Sequence, residues 1–296
     1  MLDFKTAKRI VIKLGSSIIV DQYNYQLREA WLVSLASDIK RLLGKEIIIV
    51  SSGAIACGLK LLKIDKKNLR LGQMQALAAI GQSQLINLYH QIFAQQGLQI
   101  AQILLTNDDC QERRRYLNIK DTIGELLQLG VIPVINENDT VTSEEIRFSD
   151  NDNLSARVAQ ISEADLLILL SDVAGIYEQN PKEFPNAKLL PSLAELSDQL
   201  INKIAGPGNS LGRGGMRGKL QAAQLAQNFG IKTVIASGLI EKPLSYLEKN
   251  YHYSLIKPKN EPLSAKKKWL MQLKSKAQIE IDQGAYKALK QQGSLL

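Results

Sequence analysis

The sequence predicts an α/β protein built on a mostly parallel sheet with helices on both faces. Three observations carry this. Short aliphatic runs alternate with longer segments of helical periodicity. Some runs, such as Glu46-Ile47-Ile48-Ile49-Val50, lack polar alternation, as strands buried on both faces do. Glycines stand just behind two helical segments, at Gly130 and Gly230, where a helix stops.

The elements follow in order. Arg9 to Leu14 reads as a first strand. Leu27 to Leu43 carries apolar residues at helical spacing (Leu32, Leu35, Ile39, Leu42, Leu43). Glu46 to Val50 is the second strand, followed by helical stretches over 53–62 and 71–96. Leu98 to Leu105 is the third strand, 113–129 a helix, and Val131 to Ile135 the fourth strand. A helix over Leu154 to Ile161 leads to a fifth strand, Asp165 to Leu170. A helix over 216–229 precedes a sixth strand, Lys232 to Ala236, and Tyr251 to Ile256 is the last strand before Lys257-Pro258-Lys259-Asn260-Glu261-Pro262, which reads as a boundary. We therefore expect a catalytic domain over 1–258 and a separate segment over 259–296 with a short helix, a strand (Lys276 to Ile281) and another helix. A fragment of roughly 40 residues is marginal alone.

Composition excludes several function classes. The chain is 45% hydrophobic and 22% charged, as an ordinary globular protein is. Two cysteines, Cys57 and Cys110, make no disulfide framework, and with two histidines they supply no zinc site of the usual ligand count. No apolar stretch follows Met1 to Lys5 as a secretory signal would require, and no run approaches the roughly 20 apolar residues of a membrane span. A cytoplasmic protein without membrane contact is expected. Net charge is +8, and the last 38 residues hold eight lysines against three acids. Such a tail is either a solvated lysine-rich surface or a nucleic-acid contact.

In an open parallel sheet, ligands bind beyond the carboxyl ends of the strands. Those ends carry Lys13-Leu14-Gly15-Ser16-Ser17, Ser51-Ser52-Gly53-Ala54, Asn136-Glu137-Asn138-Asp139 and Ser171-Asp172. In a parallel sheet these four segments fall on one edge. A turn at Gly15 lets backbone N–H groups approach an anion beside the Lys13 ammonium, and Ser52-Gly53 opens a helix whose N-terminus favours negative charge. Ser149-Asp150-Asn151-Asp152-Asn153 places two acids and two amides at a helix start, able to orient lysines, hold hydrated Mg²⁺ or bind a polar substrate group. Gly206 to Lys219 combines six glycines with Arg213, Arg217 and Lys219 at the opening of a helix, which suits a triphosphate tail. Lys219 would carry charge to a transferring phosphoryl group.

Familiar alternatives fail on spacing. Arg213 stands where a P-loop ending at Gly218-Lys219 needs its first glycine. Arg217 stands where a Rossmann fingerprint starting at Gly212 needs its last. Ser155 occupies the glycine position of an EF-hand loop starting at Asp150. Ser37-x-x-Lys40 and Ser149-Asp150-Asn151 imitate two β-lactamase elements, but Lys232-Thr233 is followed by Val234 instead of glycine. His90 and His252 have no partner motif and read as ordinary histidines.

Five segments in order resemble the amino acid kinase family: Ile12 to Ser17, Val50 to Ala56, Pro133 to Asp139, Asp150 to Ala156, and Gly212-x-Gly214-Gly215-Met216-x-x-Lys219. The likeness covers about residues 8–258. The Asn-Glu-Asn-Asp and Asp-Asn-Asp-Asn segments point to the branch acting on L-glutamate more than to those acting on aspartate, acetylglutamate or UMP. The resemblance implies an αβα sandwich with a mainly parallel central sheet. It implies ATP-dependent phosphorylation of the L-glutamate side-chain carboxylate to L-glutamyl 5-phosphate, the first step of proline biosynthesis, with Mg²⁺ held mainly through ATP. Ser52, Asp139 and Asn151 match glutamate-binding positions. Lys13, Ser171, Asp172 and the run Arg213, Gly214, Gly215, Met216, Arg217, Gly218, Lys219 match ATP-binding positions. Lys13, Lys219 and Asp152 are the expected catalytic set, with Asp152 holding the two lysines. A homo-oligomer (dimer or tetramer) and feedback inhibition by proline are expected, and a nucleic-acid partner is not. Arg213, Arg217 and Gly218 depart from the small hydroxyl residues common in the family's nucleotide loop. Residues 266–296 resemble the opening of a PUA domain, about half of one. The rival readings are another small-molecule kinase on the same fold, and a non-catalytic RNA-binding protein that uses the basic tail.

Overall fold

The computed structural model describes residues 4, 6–21, 23–65, 69–142, 151–181, 183–205, 215–259 and 283–284. The chain divides into two units, Met1–Leu263 and Ser264–Leu296. All the elements below belong to the first. The expected helix, strand and helix beyond Pro262 lie outside the described residues apart from Gln283 and Gly284.

In chain order the elements are β1 (Arg9–Leu14), α1 (Ser16–Ile19), α2 (Glu29–Arg41), β2 (Glu46–Val50), α3 (Ala54–Leu62), α4 (Leu71–Gln95), β3 (Gln99–Leu105), α5 (Asn107–Gln111), α6 (Arg113–Gln128), β4 (Val131–Glu137), a 3₁₀ turn (Asp139–Val141), α7 (Asn151–Ile161), β5 (Leu166–Ser171), β6 (Ser192–Leu193), α8 (Asp198–Ala205), α9 (Met216–Asn228), β7 (Lys232–Ser237), α10 (Pro243–Lys249) and β8 (Tyr253–Ile256). The sheet has eight strands in the order β3-β4-β2-β1-β5-β7-β8-β6. Every neighbouring pair is parallel except β7 and β8.

Side-chain alternation along the strands splits the core into two layers. Ile10, Ile12 and Leu14 of β1, Ile47 and Ile49 of β2, and Leu166, Ile168 and Leu170 of β5 share one hydrophobic cluster with Trp31, Leu35, Leu85, Tyr89 and Phe93 of α2 and α4. The intervening Val11, Ile48, Val50, Leu167 and Leu169 are fully buried as well, outside that cluster. Helices α2, α3, α4 and α10 contact one another, and α5 to α9 form a second contacting group. This is the three-layer arrangement that the unalternating strands predict.

Some boundaries differ from expectation. β4 runs on to Glu137, past Ile135. Helix α7 begins at Asn151, three residues before Leu154, and β8 begins at Tyr253 instead of Tyr251. The short elements α1, α5, β6, α8 and α10 were not legible from periodicity.

The helix pair α3 and α4 packs backbone to backbone. A Cβ on Gly81 would fall 1.8 Å from the Ala54 carbonyl oxygen, and one on Gly58 would fall 2.1 Å from that of Leu77. Only glycine permits this approach. It seats the first residue of α3 directly against α4, and so fixes where the loop after β2 emerges.

Candidate active site

The carboxyl ends of β1, β2, β4 and β5 meet the starts of α3, α7 and α9 around one cavity of about 440 Å³. Its lining includes Lys13, Gly15, Ser16, Ser17, Ser52, Gly53, Asn136, Asp139, Asn151, Ser171, Asp172 and Lys219. Four strand ends read from sequence as one edge therefore do share one opening.

The cationic side is built on Asp152. Its carboxylate is 1% exposed. Oδ1 lies 2.6 Å from Lys13 Nζ and Oδ2 lies 3.2 Å from Lys219 Nζ. Lys13 comes from β1 in the centre of the sheet and Lys219 from the first turn of α9, so the pairing joins elements more than 200 residues apart in sequence. Burial pushes the Asp152 carboxyl up, but the two ammonium groups outweigh it and hold it below the usual carboxylate range. Two lysines against one carboxylate give the cluster a formal surplus of one positive charge at the cavity.

The other side is made of hydroxyl and amide groups. Asn151, the first residue of α7, donates from Nδ2 to the Ser51 carbonyl (2.7 Å), to Ser52 Oγ (2.8 Å) and to Asn136 Oδ1 (2.9 Å). Asn136 Oδ1 also accepts from the Glu137 N–H at 2.9 Å. Asp139 opens the 3₁₀ turn and is buried, and burial pushes its carboxyl up to about 6 with no cation among the described residues to oppose it. Its Oδ1 and the Asn151 Oδ1 are buried acceptors without a hydrogen-bond partner.

Two backbone features complete the rim. Gly53 caps α3 at φ +108°, a conformation that L side chains rarely adopt, with the Ser52 side chain just before it. Of the backbone N–H groups at the Gly15 turn, expected to approach an anion, that of Gly15 itself donates to the Leu170 carbonyl at 3.2 Å. The sheet consumes it, because Gly15 directly extends β1 beside β5. The donors left at this corner are the first-turn N–H groups of Ser16 and Ser17, which as helix starts have no intrahelical partner.

The remaining expected site residues divide. Ser171 is buried at the end of β5, and Asp172 is exposed at the cavity. Of the described residues 215–219, only Lys219 lines the cavity. Gly215 is the exposed N-cap of α9, and Met216 and Gly218 are half-buried in its first turn. Arg217 donates to Asn202 Oδ1 of α8 at 2.8 Å, tying two helices together. Arg213 and Gly214 lie outside the described residues, as do Ser149 and Asp150. Tyr25, Leu69, Met74 and Asn136 also line the cavity. Asn136 stands inside a motif read from sequence, whereas the other three carried no signal beyond ordinary apolar character.

Other reactive side chains are not in play. Cys57 and Cys110 are free and buried, and burial pushes each thiol up to about 12. His90 and His252 are exposed. Among the described residues no group of three or more His, Cys, Asp or Glu could hold a metal ion, and no helix is long and apolar enough to cross a membrane.

Residues 8–237 match the model of the amino acid kinase family. The chain is 46% identical over 296 residues to a protein named glutamate 5-kinase from Pelagibacter ubique, covering 99% of this chain and 80% of the relative. It is 47% identical over 293 residues to one of the same name from Bartonella henselae, covering 98% and 77%. Among solved structures, isopentenyl phosphate kinase superposes with a TM-score of 0.59 at 19% identity, over 84% of this chain and 99% of that one. UMP kinase from Ureaplasma parvum gives 0.58 at 15% identity, over 84% and 98%. At such identities these two likenesses speak for the fold alone.

Proposed function

The chain belongs to the amino acid kinase family and, within it, to the glutamate 5-kinases, and from that premise we propose how its cavity carries out the reaction. The reaction is ATP-dependent phosphorylation of the glutamate side-chain carboxylate, which yields L-glutamyl 5-phosphate and opens the route to proline.

The observation that carries the site assignment is the convergence of Lys13 and Lys219 on Asp152 in the same cavity as Ser52, Asn151 and Asp139. A side-chain carboxylate with an ordinary pKa of about 4.3 is already ionised at neutral pH. It needs no general base, which agrees with a cavity lined by no histidine. The obstacle is electrostatic, because an anion must approach a polyanion. A unit pair at about 4 Å repels by roughly 4 kcal/mol at an effective dielectric of 20. Lys13 and Lys219 offset this and stabilise the charge spread over the phosphoryl oxygens during transfer. Asp152 holds both ammonium groups at fixed points although they repel each other, so the cationic site exists before ATP arrives.

Ser171, Asp172 and the start of α9 are the proposed nucleotide side, and Ser52, Asn151 and Asp139 the proposed glutamate side. Asp139 takes the substrate ammonium, and Ser52 a carboxylate. Mg²⁺, when bound with ATP, neutralises phosphate charge. The cavity fits an ion held chiefly by nucleotide oxygens and water, since Asp152 already spends both oxygens on lysines. The family membership also supports a homo-oligomer and proline binding at or near the glutamate side, and residues 259–296 are read as a PUA-like segment.

The product is an acyl phosphate, so hydroxylamine trapping tests the reading directly. Purified protein with MgATP and glutamate is expected to give γ-glutamyl hydroxamate, and aspartate, acetylglutamate, carbamate and UMP far less phosphorylated product. A folded protein that makes no hydroxamate, or that prefers another acceptor, overturns it.

A further inference from the structure

Three polar side chains of helix α4 support the glutamate side from outside the cavity. Gln75, Gln82 and Tyr89 are spaced by seven residues, two helical turns, and so lie on one face. Gln75 Nε2 donates to the Thr142 carbonyl at 3.0 Å, just beyond the 3₁₀ turn that opens with Asp139. Tyr89 Oη lies 3.0 Å from Ser51 Oγ, beside Ser52. Gln82 Oε1 accepts from Asn136 Nδ2 at 2.7 Å. None of the three lines the cavity.

The polarity of the amide chain is set by groups that cannot be reversed. The Glu137 N–H can only donate, so the Asn136 atom beside it is Oδ1, and the atom facing Gln82 is Nδ2. The Ser51 carbonyl can only accept, so the Asn151 atom beside it is Nδ2. With Nδ2 shared among three acceptors, Asn151 Oδ1 is the atom left over, buried and without a donor, on a residue that lines the cavity. Such an acceptor calls for a ligand donor. Glutamate at neutral pH offers a single donor group, its α-ammonium, because ionised carboxylates only accept.

We propose that Gln82 is a positioning residue for substrate recognition: it anchors Asn136, and through it holds the Asn151 amide with its oxygen towards the substrate ammonium. Without Gln82 Oε1, the buried Asn136 amide N–H has no partner there and must turn to find one. Asn151 then loses its acceptor at Asn136 Oδ1. The proposal rests on the reading of Asn151 as a glutamate-side residue.

The test compares glutamate with glutarate, which has both carboxylates and no ammonium. In Q82M the acceptor is removed at similar side-chain length, and in Q82E an acceptor is kept. Glutamate KM should rise about ten-fold in Q82M, the size of a lost partner for a buried donor, while glutarate Ki and ATP KM stay near wild type. Q82E should retain the preference for glutamate over glutarate, which keeps the proposal testable should Q82M not fold. Parallel weakening of glutamate and glutarate in Q82M, unchanged glutamate KM in Q82M, or a Q82E enzyme that no longer prefers glutamate would each overturn it. A wild-type protein that makes no hydroxamate is a different result, and sinks the functional reading itself.

Discussion

Asp152 and Asp139 are two carboxylates of one cavity, both at least 95% buried, and they sit on opposite sides of the usual carboxylate pKa. Burial drives both upward. At Asp152 two lysine ammonium groups reverse the effect, whereas at Asp139 no described cation does, and its carboxyl stands at about 6. The difference separates a finished half of the site from an unfinished one. On the proposed nucleotide side the protein supplies both signs of charge, two lysines against one aspartate. On the proposed glutamate side it supplies acceptors, Asp139 Oδ1 and Asn151 Oδ1, and among the described residues no partner to meet them. In the proposed reading a zwitterionic amino acid brings the ammonium, and the substrate itself completes that half.

The comparison breaks most sharply at Lys219. Replacing it with alanine removes the surplus charge from the finished half, and kcat should fall by about 10²–10³, as for loss of one preorganised electrostatic group. Glutamate KM should change little, because the other half is untouched. Steady-state kinetics with the reverse pattern would show that the two halves are not separable. Asp139→Ala acts on the unfinished half. Glutamate KM should rise by about ten- to a hundred-fold, the range for one charged hydrogen bond, with kcat and ATP KM nearly unchanged. A large loss of kcat with wild-type KM would remove Asp139 from substrate binding.

The rim was legible because parallel strands put all their carboxyl ends on one edge, so that Lys13, Ser52, Asn136 and Ser171 could be grouped from four short runs. Lys219 was legible from the glycines before it. Asn151 and Asp152 were legible as groups able to bind a polar substrate group and to orient lysines, although the helix was expected only from Leu154, because polar residues in sequence look like a turn. In the fold they occupy the first turn of α7, where Asn151 Nδ2 and the Asp152 carboxylate find partners on β1, β4, α9 and the loop after β2. Helix α10 is seven residues long, and its first turn is held by Asp38, whose Oδ2 accepts the N–H groups of Leu244 and Ser245 at 2.7 and 2.9 Å. A cap supplied from 206 residues away leaves no local mark. Gln82 and Tyr89 lie in a long amphipathic helix, where a polar residue reads as surface and an aromatic as core.

The gentlest way to sharpen the comparison is pH. Free Asp139 titrates at about 6, above its ordinary 3.8, so its charged form costs folding energy that sets in as pH rises from about 4 to 6 and is constant above. A substrate ammonium favours the charged form and lowers that pKa. Glutamate binding below pH 6 therefore expels a proton, and glutamate KM should rise about ten-fold for each unit that pH falls below 6, while staying flat above it. The stabilisation that glutamate gives in thermal melts should shrink over the same window. Asp152 is held below the usual carboxylate range and stays ionised throughout, so ATP KM should remain level between pH 5 and 7. Asp139→Asn should flatten the glutamate profile at a raised KM. A wild-type profile already flat from pH 7 to 5, or an Asp139→Asn enzyme with the original slope, would place the titrating group elsewhere and dissolve the contrast between the two carboxylates.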